Sequence, residues 1–318
     1  MIEKVKGCFL GLAVGDALGV PVEFRDRSYF KTQPVKGMLG YGTWNQPPGT
    51  WSDDGSMSFC LAESLVNQYD LKDIASKFVR WYEEGYWGAR FKLFDIGGTT
   101  RLSLARIAAR EDPLFSGEFG EESNGNGSLM RITPAALYFS EIPDQELYDR
   151  IKEISSITHA HFRSVFSCFF FSKFVIQLFK GDEKFAAFKI VCQSVADFAS
   201  KNNFNVNELR LFKKVLTGAI TSAAEDSVES GGYVLHTLEA SIWSFLNSDS
   251  FADAVLKAVN LGGDTDTTGC ITGALAGLYH GSDSIPSEWL KVLAREKDII
   301  KLSEDFTESL KKKILGKT

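Results

Sequence analysis

The sequence predicts an all-α protein, and three observations carry that reading. Apolar residues recur at three- and four-residue spacing through most of the chain, as with Phe251, Ala254, Val255 and Ala258 in "FADAVLKAVN". Strand-like alternation is scarce, which leaves helix packed on helix as the architecture. The long irregular stretches fall at 24 to 52, 86 to 97 and 112 to 127, where binding loops would sit.

The first helix, over 3 to 19, carries Gly7, Gly11, Gly15 and Gly19 at four-residue intervals. Each glycine costs roughly 1 kcal/mol against alanine inside a helix, so the repetition points to close backbone contact with another helix. Lys4 and Lys6 ahead of an apolar run imitate a signal peptide, but Asp16 interrupts that run and the segment is expected to be retained. After the first loop, "SDD" opens a helix over 54 to 69. Ser52 or Asp53 can serve as its cap, and Asp54 favours the positive end of its dipole. A helix over 71 to 85 leads into the second loop, where Asp95, Gly97 and Gly98 precede a helix over 98 to 110. Gly125, Asn126 and Gly127 then precede a helix over 128 to 138, offering backbone N–H groups to an anion. That loop matches neither the P-loop nor the dinucleotide fingerprint.

Helices follow over 144 to 157, 161 to 180, 183 to 201, 206 to 224, 232 to 246 and 250 to 260. The apolar stretch 164 to 179 is short for a membrane span and contains Lys173, which makes it a core helix. The helix over 266 to 280 repeats the glycine spacing with Gly269, Gly273 and Gly277, so both helices can lie deep in the centre of the domain with their acidic ends as neighbours. A helix over 300 to 314 comes last.

Composition bounds the function. At 318 residues, 44% hydrophobic and 24% charged, with no linker-like run, a single domain over 1–318 is expected. A net charge of −6, with no basic cluster beyond Lys311, Lys312 and Lys313, argues against direct nucleic-acid binding. Five scattered cysteines without a CxxC spacing point to reduced thiols in a reducing, cytoplasmic compartment. A monomer without membrane association is expected.

Two helix starts far apart in sequence each offer more oxygen than a cap requires. One is Ser52, Asp53 and Asp54; the other is Asp264, Thr265, Asp266 and Thr267. Four carboxylates brought together repel unless cations lie between them. Hard divalent ions such as Mg²⁺ or Mn²⁺ favour such ligands, and a two-metal site needs paired carboxylates. Glu23 follows the first glycine helix and Pro21. His159 and His161 stand two apart and do not share a helix face, so a metal common to both is not expected.

Taken in order, "GCFLGLAVGDALGVPVEF", "WSDDGSM", "FDIGGTTR", "NGNGSLMR", "SITHAH" and "NLGGDTDTTGCITGALAGLYHG" resemble the motifs of the ADP-ribosylglycohydrolase family, over residues 5 to 282. The resemblance implies a single, roughly orthogonal helical domain with a central binuclear Mg²⁺ or Mn²⁺ site. It implies cleavage at C1″ of the distal ribose of an ADP-ribosylated acceptor. By residue match, Ser52, Asp53, Asp54, Asp264, Asp266 and Thr267 would hold two divalent cations, and Glu23 would contact the distal ribose. The loop of Ser123, Asn124, Gly125, Asn126, Gly127 and Ser128 would hold the diphosphate, with His159 beside the same ADP-ribose. Asp53, Asp54, Asp95 or Glu23 would handle the proton. Asp95 resembles the aspartate of the branch that acts on ADP-ribosylated arginine, and a carboxylate can grip a guanidinium with two hydrogen bonds. Serine-linked, nucleobase-linked and O-acyl conjugates remain alternatives, as do a phosphoesterase and an inactive ADP-ribose-binding protein on this scaffold. One departure stands out. Where the family often reads TDDT, this chain has Gly55 after Asp54, and the lost hydroxyl is expected to loosen the surroundings of the ligands.

Overall fold

The computed structural model describes residues 1–316. Its helices are α1 (Ile2–Gly19), α2 (Arg27–Thr32), α3 (Asp53–Asn67), α4 (Leu71–Glu84), α5 (Gly98–Ala108), α6 (Thr133–Tyr138), α7 (Asp144–Ser156), α8 (Phe162–Lys180), α9 (Lys184–Lys201), α10 (Val206–Leu211), α11 (Lys213–Leu216), α12 (Val234–Leu246), α13 (Phe251–Asn260), α14 (Thr265–His280), α15 (Ser287–Leu290) and α16 (Glu296–Leu315). Among the described residues, pairing of extended segments is limited to three isolated bridges, so the all-α expectation holds.

The observed helices differ from the periodicity in several places, including a last helix that begins at Glu296 rather than at 300. The helix expected from 128 begins at Thr133, because Pro134 lacks an N–H donor and is tolerated only in a first turn. The span 206 to 224 is broken into α10, α11 and a 3-10 turn. Phe212, fully buried against Phe166 at 4.8 Å, sits at the first break, and Gly218 at φ +75° ends α11. The short α2 and α15 are too brief for periodicity to reveal.

Helices α1 and α14 lie antiparallel at the centre and make the most extensive helix pair. A Cβ on Gly7 would stand 2.3 Å from the Gly277 carbonyl oxygen, one on Gly11 2.3 Å from that of Gly273, and one on Gly15 2.0 Å from that of Gly269. Any side chain there would force the backbones apart. The glycine register therefore permits a backbone-to-backbone contact at the cost of helix propensity. Around this pair, α3, α12, α13, α8 and α16 complete the interior. Helix α8 contributes Phe166, Phe169, Phe170, Phe171 and Phe174, all fully buried.

Two stretches, Ile2–Val22 and Phe162–Lys180, are long and apolar enough to cross a membrane by length and composition. The second, at 19 residues, runs beyond the apolar stretch 164 to 179 read from the sequence. Their apolar windows are 94% and 72% buried inside the protein, so core packing accounts for their composition. The five cysteines are free and buried.

Candidate active site

The site grows from the end of the glycine contact. Gly19 closes α1 with its Cα so near Asp266 that a Cβ would stand 2.3 Å from the Asp266 Cα, and Thr265 Oγ1 donates to the Gly19 carbonyl at 2.8 Å. This sets the N-terminus of α14 beside the chain leaving α1, which carries Glu23. Gly262 and Gly263, at φ +79° and +73°, turn the chain into α14, and Gly263 exchanges backbone hydrogen bonds with Phe24 and Arg25. Carboxylate oxygens of Glu23, Asp95 and Asp266 consequently lie within 4.8 Å of one another.

The second helix start is brought in by a residue that motif reading passed over. Asp16, buried in α1, accepts hydrogen bonds from Ser52 N at 2.8 Å and Gly55 N at 2.9 Å, so it holds the first turn of α3. Ser52 caps that turn, its Oγ accepting from Asp54 N at 3.3 Å. Thr267 Oγ1 donates to Asp54 Oδ1 at 3.3 Å, linking α14 to α3. Gly55 is no loosened position: a Cβ there would stand 2.7 Å from the Trp51 indole, and its N–H is fixed by Asp16.

These elements enclose a pocket of about 260 Å³ lined by Glu23, Phe24, Asp53, Asp54, Asp95, Gly125, Asn126, Gly127, His159, Asp264 and Thr267, among others. Glu23 is steadied by the Trp44 indole N–H, which donates to its carboxylate, and by Thr43 Oγ1, which donates to its carbonyl at 2.8 Å. Asp95 is held at φ +51°, a left-handed conformation that a non-glycine residue adopts only at a cost and that marks functional sites. Asn126 Nδ2 donates to Asp264 Oδ2 at 2.9 Å and so joins the glycine loop to the acidic cluster. Not every expected residue faces the pocket. Ser128 is turned into the core beside Cys168 and Ser155, and Asn124 is occupied with Glu121 and Ser164. Ser123, Ser52 and Asp266 are buried but absent from the lining.

The electrostatics are one-sided. Burial, then Asp95 and Asp264, push Glu23 up to about 9; burial, then Asp264, pushes Asp95 up to about 6. Burial raises Asp16 to about 7 against the two N–H donors that favour its ionised form. Burial and neighbouring carboxylates hold Asp53, Asp54 and Asp266 well above the usual range. The buried Asp54 Oδ2 and Asp264 Oδ1 find no hydrogen-bond partner among the described residues. Unpartnered carboxylate oxygens, hard donors and like charges are what a divalent cation corrects, so the donor set fits such ions.

A prediction follows for the cation-free protein. The Asp16, Glu23 and Asp95 carboxyls ionise near 4 when unfolded but only at about 6 to 9 when folded. Their contribution to stability is fully present below pH 4 and lost as pH rises towards 9. In EDTA the melting temperature should therefore fall between pH 5.5 and 8.5, and excess Mg²⁺ or Mn²⁺ should remove the slope. A melting temperature that rises with pH in EDTA would contradict this.

Comparison with known proteins agrees with this arrangement. Residues 1–315 match the ADP-ribosylglycohydrolase family. The ADP-ribosylarginine hydrolase Tri1 of Serratia proteamaculans is 33% identical over 310 residues, 96% of this chain and 79% of that protein. The ADP-ribosyl-[dinitrogen reductase] glycohydrolase of Rhodospirillum rubrum is 31% identical, over 92% of this chain and 90% of its own. A solved structure described as an ADP-ribosylglycohydrolase-related protein complex superposes with a TM-score of 0.81 at 33% identity, covering 97% of this chain and 98% of that one. Family match, shared fold and clustered carboxylates agree: the chain belongs to the ADP-ribosylglycohydrolases, enzymes that hydrolyse glycosidic bonds.

Proposed function

We propose that this enzyme removes ADP-ribose from arginine side chains of modified proteins by divalent-cation-dependent hydrolysis at C1″ of the distal ribose. The observation that carries the reading is the meeting, in one pocket, of a carboxylate cluster with unpartnered oxygens and a glycine loop suited to phosphate. Ser52, Asp53, Asp54, Asp264, Asp266 and Thr267 are the residues that would hold two cations. When bound, Mg²⁺ or Mn²⁺ supplies orientation of ribose hydroxyls and a water of lowered pKa. Gly125, Asn126 and Gly127 line the pocket and would hold the diphosphate. Glu23, steadied by Trp44, would contact the distal ribose. Asp95, in the same carboxylate group, would grip the acceptor guanidinium. Glu23 and Asp95 stand outside the proposed ligand set, so the proton is best assigned to one of them. The buried, unpaired cysteines favour a reducing compartment.

The test is release of free ADP-ribose from arginine-modified protein, with Mg²⁺ or Mn²⁺ and with EDTA, beside serine-linked and O-acyl conjugates. Metal-dependent release from arginine alone is the expected result. Release only from another conjugate would overturn the acceptor, and AMP or phosphate as product would overturn the reaction. Asp16 gives a subtler check. Asp16→Asn turns an N–H towards Ser52 N or Gly55 N, so the first turn of α3 should shift and divalent-cation affinity fall about 10–100-fold by calorimetry. Unchanged affinity would remove Asp16 from the support of the site.

A further inference from the structure

Beneath the glycine loop lies a chain of hydrogen bonds with a determinate direction. Arg131 is fully buried, its guanidinium 4.9 Å from the centre of the Phe78 ring. Its Nη1 donates to the Gly127 carbonyl, and its Nη2 donates to Thr158 Oγ1 at 2.8 Å. Thr158 Oγ1 in turn lies 2.8 Å from His159 Nδ1. A guanidinium can only donate, so the Thr158 oxygen is an acceptor on that side. Thr158 is fully buried, and among the described residues the sole other partner of its hydroxyl is His159 Nδ1. The hydroxyl proton must point there or be left unsatisfied in the interior, which is costly. Nδ1 is then the acceptor, and the imidazole proton sits on Nε2.

The Nε2 edge borders the pocket. A Cβ on Gly125 would stand 3.5 Å from Nε2, and one on Gly127 would stand 2.7 Å from Cε1. Among the described residues Nε2 has no protein partner, whereas the rest of the residue is fixed: Ser155 Oγ donates to its carbonyl at 2.8 Å.

We infer that Arg131 and Thr158 hold His159 as the neutral, Nε2-protonated tautomer, making it a permanent hydrogen-bond donor towards the pocket for an anionic oxygen such as a diphosphate oxygen. Arg131 and Thr158 are positioning residues; His159 makes the contact. The surrounding charges agree. Arg131 is joined to the ring through Thr158, and burial together with that cation pushes His159 down to about 3. Glu23, Asp53, Asp95 and Asp264 line the same pocket, and Glu118, bridged to the His159 backbone, is paired with Arg106. Arg131 itself, though lowered to about 10, keeps its charge at neutral pH. The pocket thus gains a donor that never competes as a cation with metal ions and never becomes an acceptor facing a phosphate. The identity of the ligand rests on the proposed function; the tautomer does not.

The test begins with the ligand-free full chain labelled with ¹⁵N-histidine. Long-range ¹H–¹⁵N spectra distinguish the two neutral tautomers, and His159→Gln identifies the signal. The expected result is Nε2–H with no titration between pH 5 and 8. The Nδ1–H form, or titration near the ordinary histidine value, would overturn the inference. Thr158→Val should release the tautomer and weaken ADP-ribose binding about tenfold, the size of one lost hydrogen bond. Thr158→Ser, which keeps the hydroxyl, should restore both. Equal weakening by Val and Ser would reduce Thr158 to a packing residue and overturn the relay. Wild-type protein with the expected tautomer but no affinity for ADP-ribose would leave the relay standing and overturn the ligand. If the valine variant fails to fold, the wild-type spectrum alone decides.

Discussion

Asp264→Asn is expected to reduce ADP-ribose release by at least about 10³-fold, because cation-dependent stabilisation is worth several kcal/mol and each 1.4 kcal/mol is a factor of ten. The substitution is nearly isosteric. Asp264 Oδ2 already accepts a hydrogen bond from Asn126 at 2.9 Å, and an amide oxygen can take its place. What disappears is the charge, together with the partnerless Oδ1. Stability should move the other way. Without cations, the variant relieves repulsion within the cluster and should melt at a higher temperature than wild type. With Mg²⁺ or Mn²⁺, wild type should gain stability that the variant does not. Opposite signs in the two conditions separate loss of a ligand from general misfolding. A variant retaining a tenth of wild-type activity would refute a ligand role for Asp264.

Gly15→Ala should destabilise the fold by about 3 kcal/mol or more, although alanine is the better helix former by about 1 kcal/mol. The new methyl carbon would stand 2.0 Å from the Gly269 carbonyl oxygen and 2.5 Å from its carbon, both backbone atoms that cannot rotate away. The two central helices must separate, and the damage reaches the site because Gly19 and Asp266 sit one turn further along the same contact. Gly98→Ala is the control: nothing lies within 4 Å of a Cβ there, so that change should be neutral or stabilising by up to about 1 kcal/mol. The midpoints of urea unfolding decide, and similar midpoints for the two variants would refute the zipper.

Much of this was legible because sequence states periodicity and ligand chemistry directly. Glycine at four-residue spacing in two helices announced a close contact, and the surplus oxygens at 52–54 and 264–267 announced something beyond capping. The placement of Glu23 and Asp95 beside Asp266 was not legible from spacing, since it depends on loops whose turns rest on Gly262, Gly263 and the left-handed Asp95. Asp16 was present in "GDALG" but looked like an interruption of an apolar run. Its signal was a carboxylate on a helix too apolar to expose any face, and so obliged to find donors inside. Arg131 and Thr158 gave no local signal, because their meaning lies in a hydrogen-bond order that only three dimensions reveal. Ser128 misled for the opposite reason: a hydroxyl next to a glycine loop invites a phosphate role, yet the chain rotates it towards Cys168.

The central contact also sets an order of events during synthesis. Thr265 and Gly19, hydrogen-bonded in the native fold, are 246 positions apart. At translation rates of about 5–20 residues per second, the glycine face of α1 waits roughly 12–50 s for its partner to be made. A segment so rich in glycine does not hold a helix alone over that interval. It waits as an apolar stretch in need of shelter, which is the kind of species chaperones receive. The same delay applies to the site. Asp264 and Asp266 arrive with the very segment that packs against α1, so until then the nascent chain lacks the α14 half of the acidic pocket. For this protein, joining the two central helices and assembling the pocket are one event.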